Sequence, residues 1–172
     1  QAQGDKGASP ESVDAYGLYW PIVEVCDEYG TLPPMLTETG YNDDPRESGE
    51  LQRAPIQEGL TLGQSKAVLA IRNLILARAA GIDTVCEYAI ADDFGGGWED
   101  LVGFFHGKDG THPDDPGQPY YAEKEAYRFW KQWMDDIGKK LHVPKQVPAE
   151  AAYGAVRVFA VEGVLEDGTT GQ

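Results

Sequence analysis

Apolar residues return at three- and four-residue steps in three long stretches of the chain, and shorter apolar runs lie between them. In "PESVDAYGLYWPIVEVCDEYG" the residues Val13, Tyr16, Trp20, Val23 and Cys26 mark one buried face of a helix. Ser9 can cap it, and Pro10 sits where a missing N–H does no harm. Pro21 is expected to kink this helix and Gly30 to stop it. "PPMLTE" then reads as a short buried strand. From Tyr41 to Thr61 the sequence turns polar, with Pro45, Gly49, Pro55 and Gly59 spread through it. That predicts an ordered loop of about twenty residues, a length that usually carries a function. "LGQSKAVLAIRNLILARAAG" has Ala67, Ile71, Leu74, Ile75 and Arg78 on one stripe and Leu69 and Leu76 on another, so it should be a helix covered on two sides and ended by Gly81. "IDTVCEYAIADDF" follows as a second strand, rich in β-formers. Beyond the loop "GGGWEDLVGFFHGKDGTHPDDPGQ" a third helix is expected from about Tyr120 to Lys140, burying Ala126, Phe129, Trp130 and Trp133. After Pro148, the alternation of Val156, Val158 and Ala160 predicts a strand, and Asp167-Gly168 a hairpin turn.

Strands alternating with helices, with short helix-to-strand joints and long strand-to-helix loops, predict a parallel α/β architecture. In such sheets ligands sit beyond the carboxyl ends of the strands. Both predicted strands deliver carboxylates there: Glu38 in "TLPPMLTETGYNDD", and Asp92 with Asp93 in "IADD".

Composition narrows the partners. The chain has 172 residues, of which 41% are hydrophobic and 10% aromatic, enough for the core of one ordinary domain. A net charge of −15 and a pI near 4.4 argue against nucleic acid or an anionic membrane, both of which would be repelled at long range. A neutral ligand fits more easily. No apolar run approaches the roughly 20 residues of a membrane span, and the opening Gln-Ala-Gln-Gly does not read as a signal peptide. Cys26 and Cys86 lack metal spacing and read as small core residues. Asp92-Asp93 lacks the spacing of a calcium loop, so neither a metal nor a cofactor is expected.

Three stretches together, "GASPESVDAYGLYWPIVEVCDEYG", "PPMLTETGYND" and "QSKAVLAIRNLILARAAGIDTVCEYAIADD", resemble the C-terminal part of retaining glycoside hydrolases with (β/α)8 barrels, the clan that includes endoglucanases and β-xylosidases. The resemblance spans about residues 4 to 141. In that clan the strand after the sixth helix ends in the nucleophilic glutamate, within a Thr/Ser-Glu-aromatic/Thr-Gly-Tyr/Trp pattern, and Glu38 in "LTETGY" falls on that position. Two departures stand out. The clan usually carries a tryptophan near the end of the eighth strand, where this chain has Glu87 or Tyr88. The acid/base glutamate of the clan lies on the fourth strand, and a barrel needs about 250 residues. The resemblance therefore implies the C-terminal portion of a (β/α)8 TIM barrel over residues 1–148, followed by the start of an appended β-sandwich-like domain over residues 149–172. It implies that the N-terminal half of the barrel is supplied elsewhere in the same protein or by a separate chain.

The function implied is a glycosidase that hydrolyses O-glycosidic bonds of a polysaccharide or oligosaccharide with retention, acting at the cell surface or outside the cell. Glu38 would be the nucleophile. Sugar sites combine aromatic plates with carboxylate and amide acceptors. Tyr41, Glu87, Tyr88, Asp92, Asp93, Trp98 and His106 fall at strand ends or in the loops above them and are the candidate substrate-binding residues. A catalytically inactive carbohydrate-binding or assembly protein built on a barrel segment is the alternative. An Asn-Glu pair ending the fourth strand of the other half would favour the enzyme.

Overall fold

Two parallel strands joined through one long helix set the frame on which the rest is built. The computed structural model describes residues 13–30, 33–41, 43, 59–87, 89–92, 103–107, 111–112, 115–116, 122–153 and 156–171. Helix α1 spans Val13–Tyr29 and runs through Pro21. Strand β1 is Met35–Thr39, helix α2 is Leu62–Ala80, and strand β2 is Thr84–Glu87. The two strands pair in parallel, which is the strand–helix–strand unit that the alternating pattern predicts.

Both ends of α2 are closed by local chemistry. The Thr61 hydroxyl accepts from the Gln64 N–H at 3.1 Å, and the Gln64 side chain accepts from the Thr61 N–H at 3.1 Å, a reciprocal capping box. At the other end Gly81 adopts φ 97°, a left-handed conformation that costs a residue with a Cβ. Its N–H and that of Ile82 then reach back to the carbonyls of Arg78 and Ala77, each at 2.9 Å. Ile82 is thereby turned into the core.

Helix α2 is covered on two sides, as its two apolar stripes require, but mostly by way of small residues. On one side Leu76, Ala77 and Ala80 meet Tyr19 and Val23 of α1 together with Ile82, and Leu36 and Val85 of the strands pack onto this cluster. On the other side Ala67 and Ala70 meet Phe104 and Ala126. Ile71, Leu74 and Ile75 are only partly buried. Alanines at the contacts let the neighbouring elements approach closely. The opposite face of the β1–β2 pair is bare: Met35 is 57% exposed, and Thr37, Thr84 and Cys86 are exposed with it. Cys86 is thus a surface residue, and the expectation that it belongs to the core is corrected.

The third helix begins later than its periodicity suggests. Residues 122–124 run extended beside the 103–107 segment, with the His106 N–H bonded to the Ala122 carbonyl and the Lys124 N–H to that of Phe104. Helix α3 therefore covers Glu125–Trp133, continuing into a π-helical turn at Met134–Gly138. Phe129, expected in the buried stripe, is 41% exposed, whereas Ala126 is fully buried.

Five small antiparallel strands and one hairpin complete the described residues. Strands β3 (Thr111–His112) and β4 (Asp115–Pro116) pair with each other. Strand β5 (Leu141–His142) pairs with β8 (Gly163–Leu165), and β8 with β9 (Thr170–Gly171), while β6 (Ala149–Tyr153) and β7 (Val156–Ala160) form a hairpin. The turn at Asp167-Gly168 joins β8 to β9. The β5–β8–β9 sheet straddles the 148/149 boundary expected from the sequence, because β5 lies before it. This region is fastened to the helices: the Gln146 N–H bonds to the Ala79 carbonyl at 2.7 Å, and the Trp20 indole donates to the Gln146 carbonyl at 3.2 Å. No helix among the described residues is long and apolar enough to cross a membrane.

Candidate active site at the carboxyl ends of the parallel strands

The β1–β2 pairing carries an irregularity just where the sequence places its carboxylates. Met35 stands opposite Thr84 and Leu36 opposite Val85, but the next pair is Thr39 with Glu87. Strand β1 uses three steps where β2 uses two, so β1 holds one extra residue within Thr37–Glu38. Such a bulge re-aims side chains and raises the local twist. It also turns Thr39, three positions after Leu36, to the helix side of the sheet, where it is fully buried.

There Thr39 meets Asn73, which stands in the middle of an apolar run of α2. The Asn73 amide donates to the Thr39 hydroxyl at 2.8 Å, and its carbonyl oxygen accepts from the Tyr19 hydroxyl of α1. The same side chain helps to favour the ionised form of the Glu87 carboxyl at the end of β2. One buried amide thus ties α1, α2 and β1 together. Burial pushes the Glu87 carboxyl up to about 7, against the opposing pull of the Lys66 ammonium and the Asn73 hydrogen bond.

A second cluster ties down the chain that leaves each strand. Lys124, at the cap position of α3, places its ammonium 2.5 Å from Asp43, which follows β1, and 3.0 Å from Asp92, which follows β2. Lys66 of α2 reaches Asp43 at 3.4 Å, donates to the Gly103 carbonyl at 2.6 Å, and lies 5.2 Å from the centre of the Phe104 ring. Asp92 in turn accepts from the Gly103 N–H at 2.9 Å. Gly103 is required by close approach, since a Cβ there would stand 2.3 Å from the backbone of Ala91 and Asp92. All four charged side chains are less than a tenth exposed, at 2%, 8%, 7% and 0% for Lys66, Lys124, Asp43 and Asp92. Burial pulls Lys66 down to about 8, with Asp43 opposing, and pushes Asp92 up, with Lys124 opposing. The opposite signs balance, and among the described residues this cluster fastens the backbone at Gly103 to α2 and to the chain after β2.

The candidate residues therefore divide. Glu38 lies on β1, one residue before the Thr39–Glu87 pair. Tyr41 is 4% exposed and packs on Leu69 and Leu62. Asp92 is held by Lys124 and Gly103. Glu87 is turned toward α2, where its carboxyl is desolvated. His106 is partly buried in the 103–107 segment, which meets the chain beside Asp92 through an Ala91–Phe105 bridge. Tyr88, Asp93 and Trp98 lie outside the described residues. Among the described residues no cluster of His, Cys, Asp and Glu could hold a metal ion. Sequence reasoning passed over Asp43, Lys66, Asn73 and Lys124; the available signal was a lysine and an asparagine set among buried alanines and leucines on α2. Compared with known proteins, the chain matches no family model and no curated protein.

Glu87 gives the first testable outcome. Folding holds its proton more tightly than the unfolded chain does, so the stability it contributes is present below the ordinary value of 4.5 and is lost as pH rises through about 7. Replacing it with Gln removes that loss. Denaturant titrations should show Glu87→Gln gaining about 3 kcal/mol over the parent between pH 4 and pH 8. A difference that stays constant with pH would mean the carboxyl is not desolvated.

Proposed function

We propose that the chain is the C-terminal portion of a retaining glycosidase barrel, with Glu38 as the nucleophile and the acid/base glutamate on strands outside this chain. The observation that carries the reading is the placement of Glu38 at the carboxyl end of β1 in a parallel strand–helix–strand unit whose following segments are fastened by buried ion pairs. The resemblance of "LTETGY" to a nucleophile strand supports it independently. The bare face of the sheet, with Met35 and Cys86 open to solvent, suits a chain whose remaining barrel strands pack there.

In this mechanism the ionised Glu38 attacks the anomeric carbon while a protonated partner about 5–5.5 Å away assists the leaving oxygen. The same partner then takes a proton from water as the glycosyl ester is cleaved. The substrate is a polysaccharide or oligosaccharide, met outside the cell or at its surface. A second reading, an inactive carbohydrate-binding or assembly module, draws on the withdrawal of Tyr41, Glu87 and Asp92 from solvent-facing positions.

The two separate in a trapping experiment. The chain, together with the strands that complete its sheet, is exposed to a 2-fluoro glycoside bearing an activated leaving group, and its peptides are weighed. A glycosyl mass on the peptide containing Glu38 is the expected result. Hydrolysis without label on that peptide, or no turnover at all, overturns the nucleophile reading.

A further inference from the structure

We propose that the concavity between the helices and the β5–β8–β9 sheet is a binding site for a small, uncharged molecule with an apolar ring. The inference stands apart from the reading of Glu38, because the two places are built from different residues. The sheet presents one apolar face by simple alternation: Val161, Gly163 and Leu165 follow at two-residue steps, and Leu141 of β5 pairs with Leu165. The alternate positions His142, Glu162 and Val164 are exposed. Across from the apolar side stand Ile75 of α2 and, from the end of α3 and its π-helical turn, Trp133 and Ile137. The two surfaces do not close on each other. Between them lies a cavity of about 350 Å³, within the roughly 300–1,000 Å³ of small-molecule sites.

The walls are held from behind. A Cβ at Gly138 would stand 2.5 Å from the Trp133 ring, and one at Gly163 would stand 2.7 Å from the Leu141 side chain, so the indole and the leucine rest against bare backbone. The π-helical turn at Met134–Gly138 adds to this, since such turns are rare and frequent at functional sites. The chemistry of the lining selects the occupant. Of the ten described residues around the cavity, eight are apolar or glycine, and the others are the exposed Thr169 and Thr170. No carboxylate, ammonium or amide side chain is among these ten. A charged ligand would lose its hydration there without gaining a counter-charge, and a bare sugar would leave hydroxyls unpaired. A flat ring laid on Trp133 gains apolar burial, and a single hydroxyl can be met at the threonine edge. A folded protein partner needs about 20–30 residues a side, far more than surround this one concavity.

The test uses the completed protein with p-cresol as the probe, followed through the methyl NMR signals of isoleucine, leucine and valine. Saturable shifts confined to Ile75, Leu141, Val161, Leu165 and their neighbours in the cavity are expected, with a Kd of about 1 mM or tighter. The same ring carrying a carboxylate, p-hydroxybenzoate, should bind roughly tenfold more weakly or worse. Two variants alter opposite properties of the site: Ile75→Trp fills it from α2, and Trp133→Leu removes the plate without filling the space. Each should weaken p-cresol by roughly tenfold or more, and either one that keeps the parental fold suffices for the comparison. No saturable shift up to about 10 mM p-cresol overturns the inference and means that the space is closed or already filled by the protein itself. Equal shifts at the exposed Ile22 and Ile90 overturn it by showing that the probe coats apolar surface. Equal binding of the carboxylate, or parental affinity in a folded variant, overturns it as well.

Discussion

Glu38→Gln should lower turnover of the completed protein by several orders of magnitude, about 10⁴-fold or more, while leaving its folding intact. The substitution preserves size and removes only the charge that would form the glycosyl ester. The strand around it is held by other groups: the backbone pairing with β2, the packing of Leu36 on the α1–α2 core, and the Thr39–Asn73 hydrogen bond. In the shorter Glu38→Ala variant a small anion such as azide should recover part of the lost rate, because it can occupy the space the carboxylate vacates beside the anomeric carbon and attack in its place. The product would then be a glycosyl azide of inverted configuration. Near-parental hydrolysis by the Gln variant would reduce Glu38 to a turn residue.

The second large effect is on stability. Lys124→Met keeps the length of the side chain and deletes the ammonium between Asp43 and Asp92, leaving two carboxylates at 7% and 0% exposure near one another, with Lys66 the remaining ammonium beside them among the described residues. Breaking a buried ion pair from one side costs about 3–5 kcal/mol. Denaturant unfolding should show a loss of that size at pH 7, partly recovered in the double variant Lys124→Met/Asp92→Asn, where one stranded charge is also removed. A loss below about 1 kcal/mol would mean that water reaches the cluster and that it holds nothing in place. Asp92 already carries one buried oxygen without a hydrogen-bond partner among the described residues, so it has little to fall back on once Lys124 is gone.

The helices and the parallel pair were legible because each follows from short-range periodicity and punctuation: Gly30 and Gly81 end helices where expected, and β-formers fill β2. What escaped was the choice of face. Periodicity on α1 pointed to Trp20, yet its neighbour Tyr19 is the more deeply buried, because its hydroxyl finds Asn73 on α2. At the strand ends, position along the chain suggested which carboxylates sit near the loops but not which side of the sheet they take. A one-residue bulge decides that for Thr39, and nothing in "MLTET" announces it. The ion-pair cluster was invisible for another reason. Its members come from positions 43, 66, 92 and 124, and only the folded chain brings them within bonding distance. A lysine on a helix reads as a solvated face until the neighbours that bury it are known.

The capped helix between the two strands also governs the order in which this unit can assemble. Helix α2 carries its own start and stop in Thr61, Gln64 and Gly81, all local in sequence, so it can form within the microsecond range of helix nucleation. Joining Thr39 to Glu87 instead means closing the whole stretch between them, an entropic cost that must be met before a single inter-strand hydrogen bond forms. Asn73, already displayed on a finished helix, offers β1 a docking point through Thr39 during that search. The buried amide thus acts as a template in time as well as in space, and changes at Asn73 should slow folding more than they hasten unfolding.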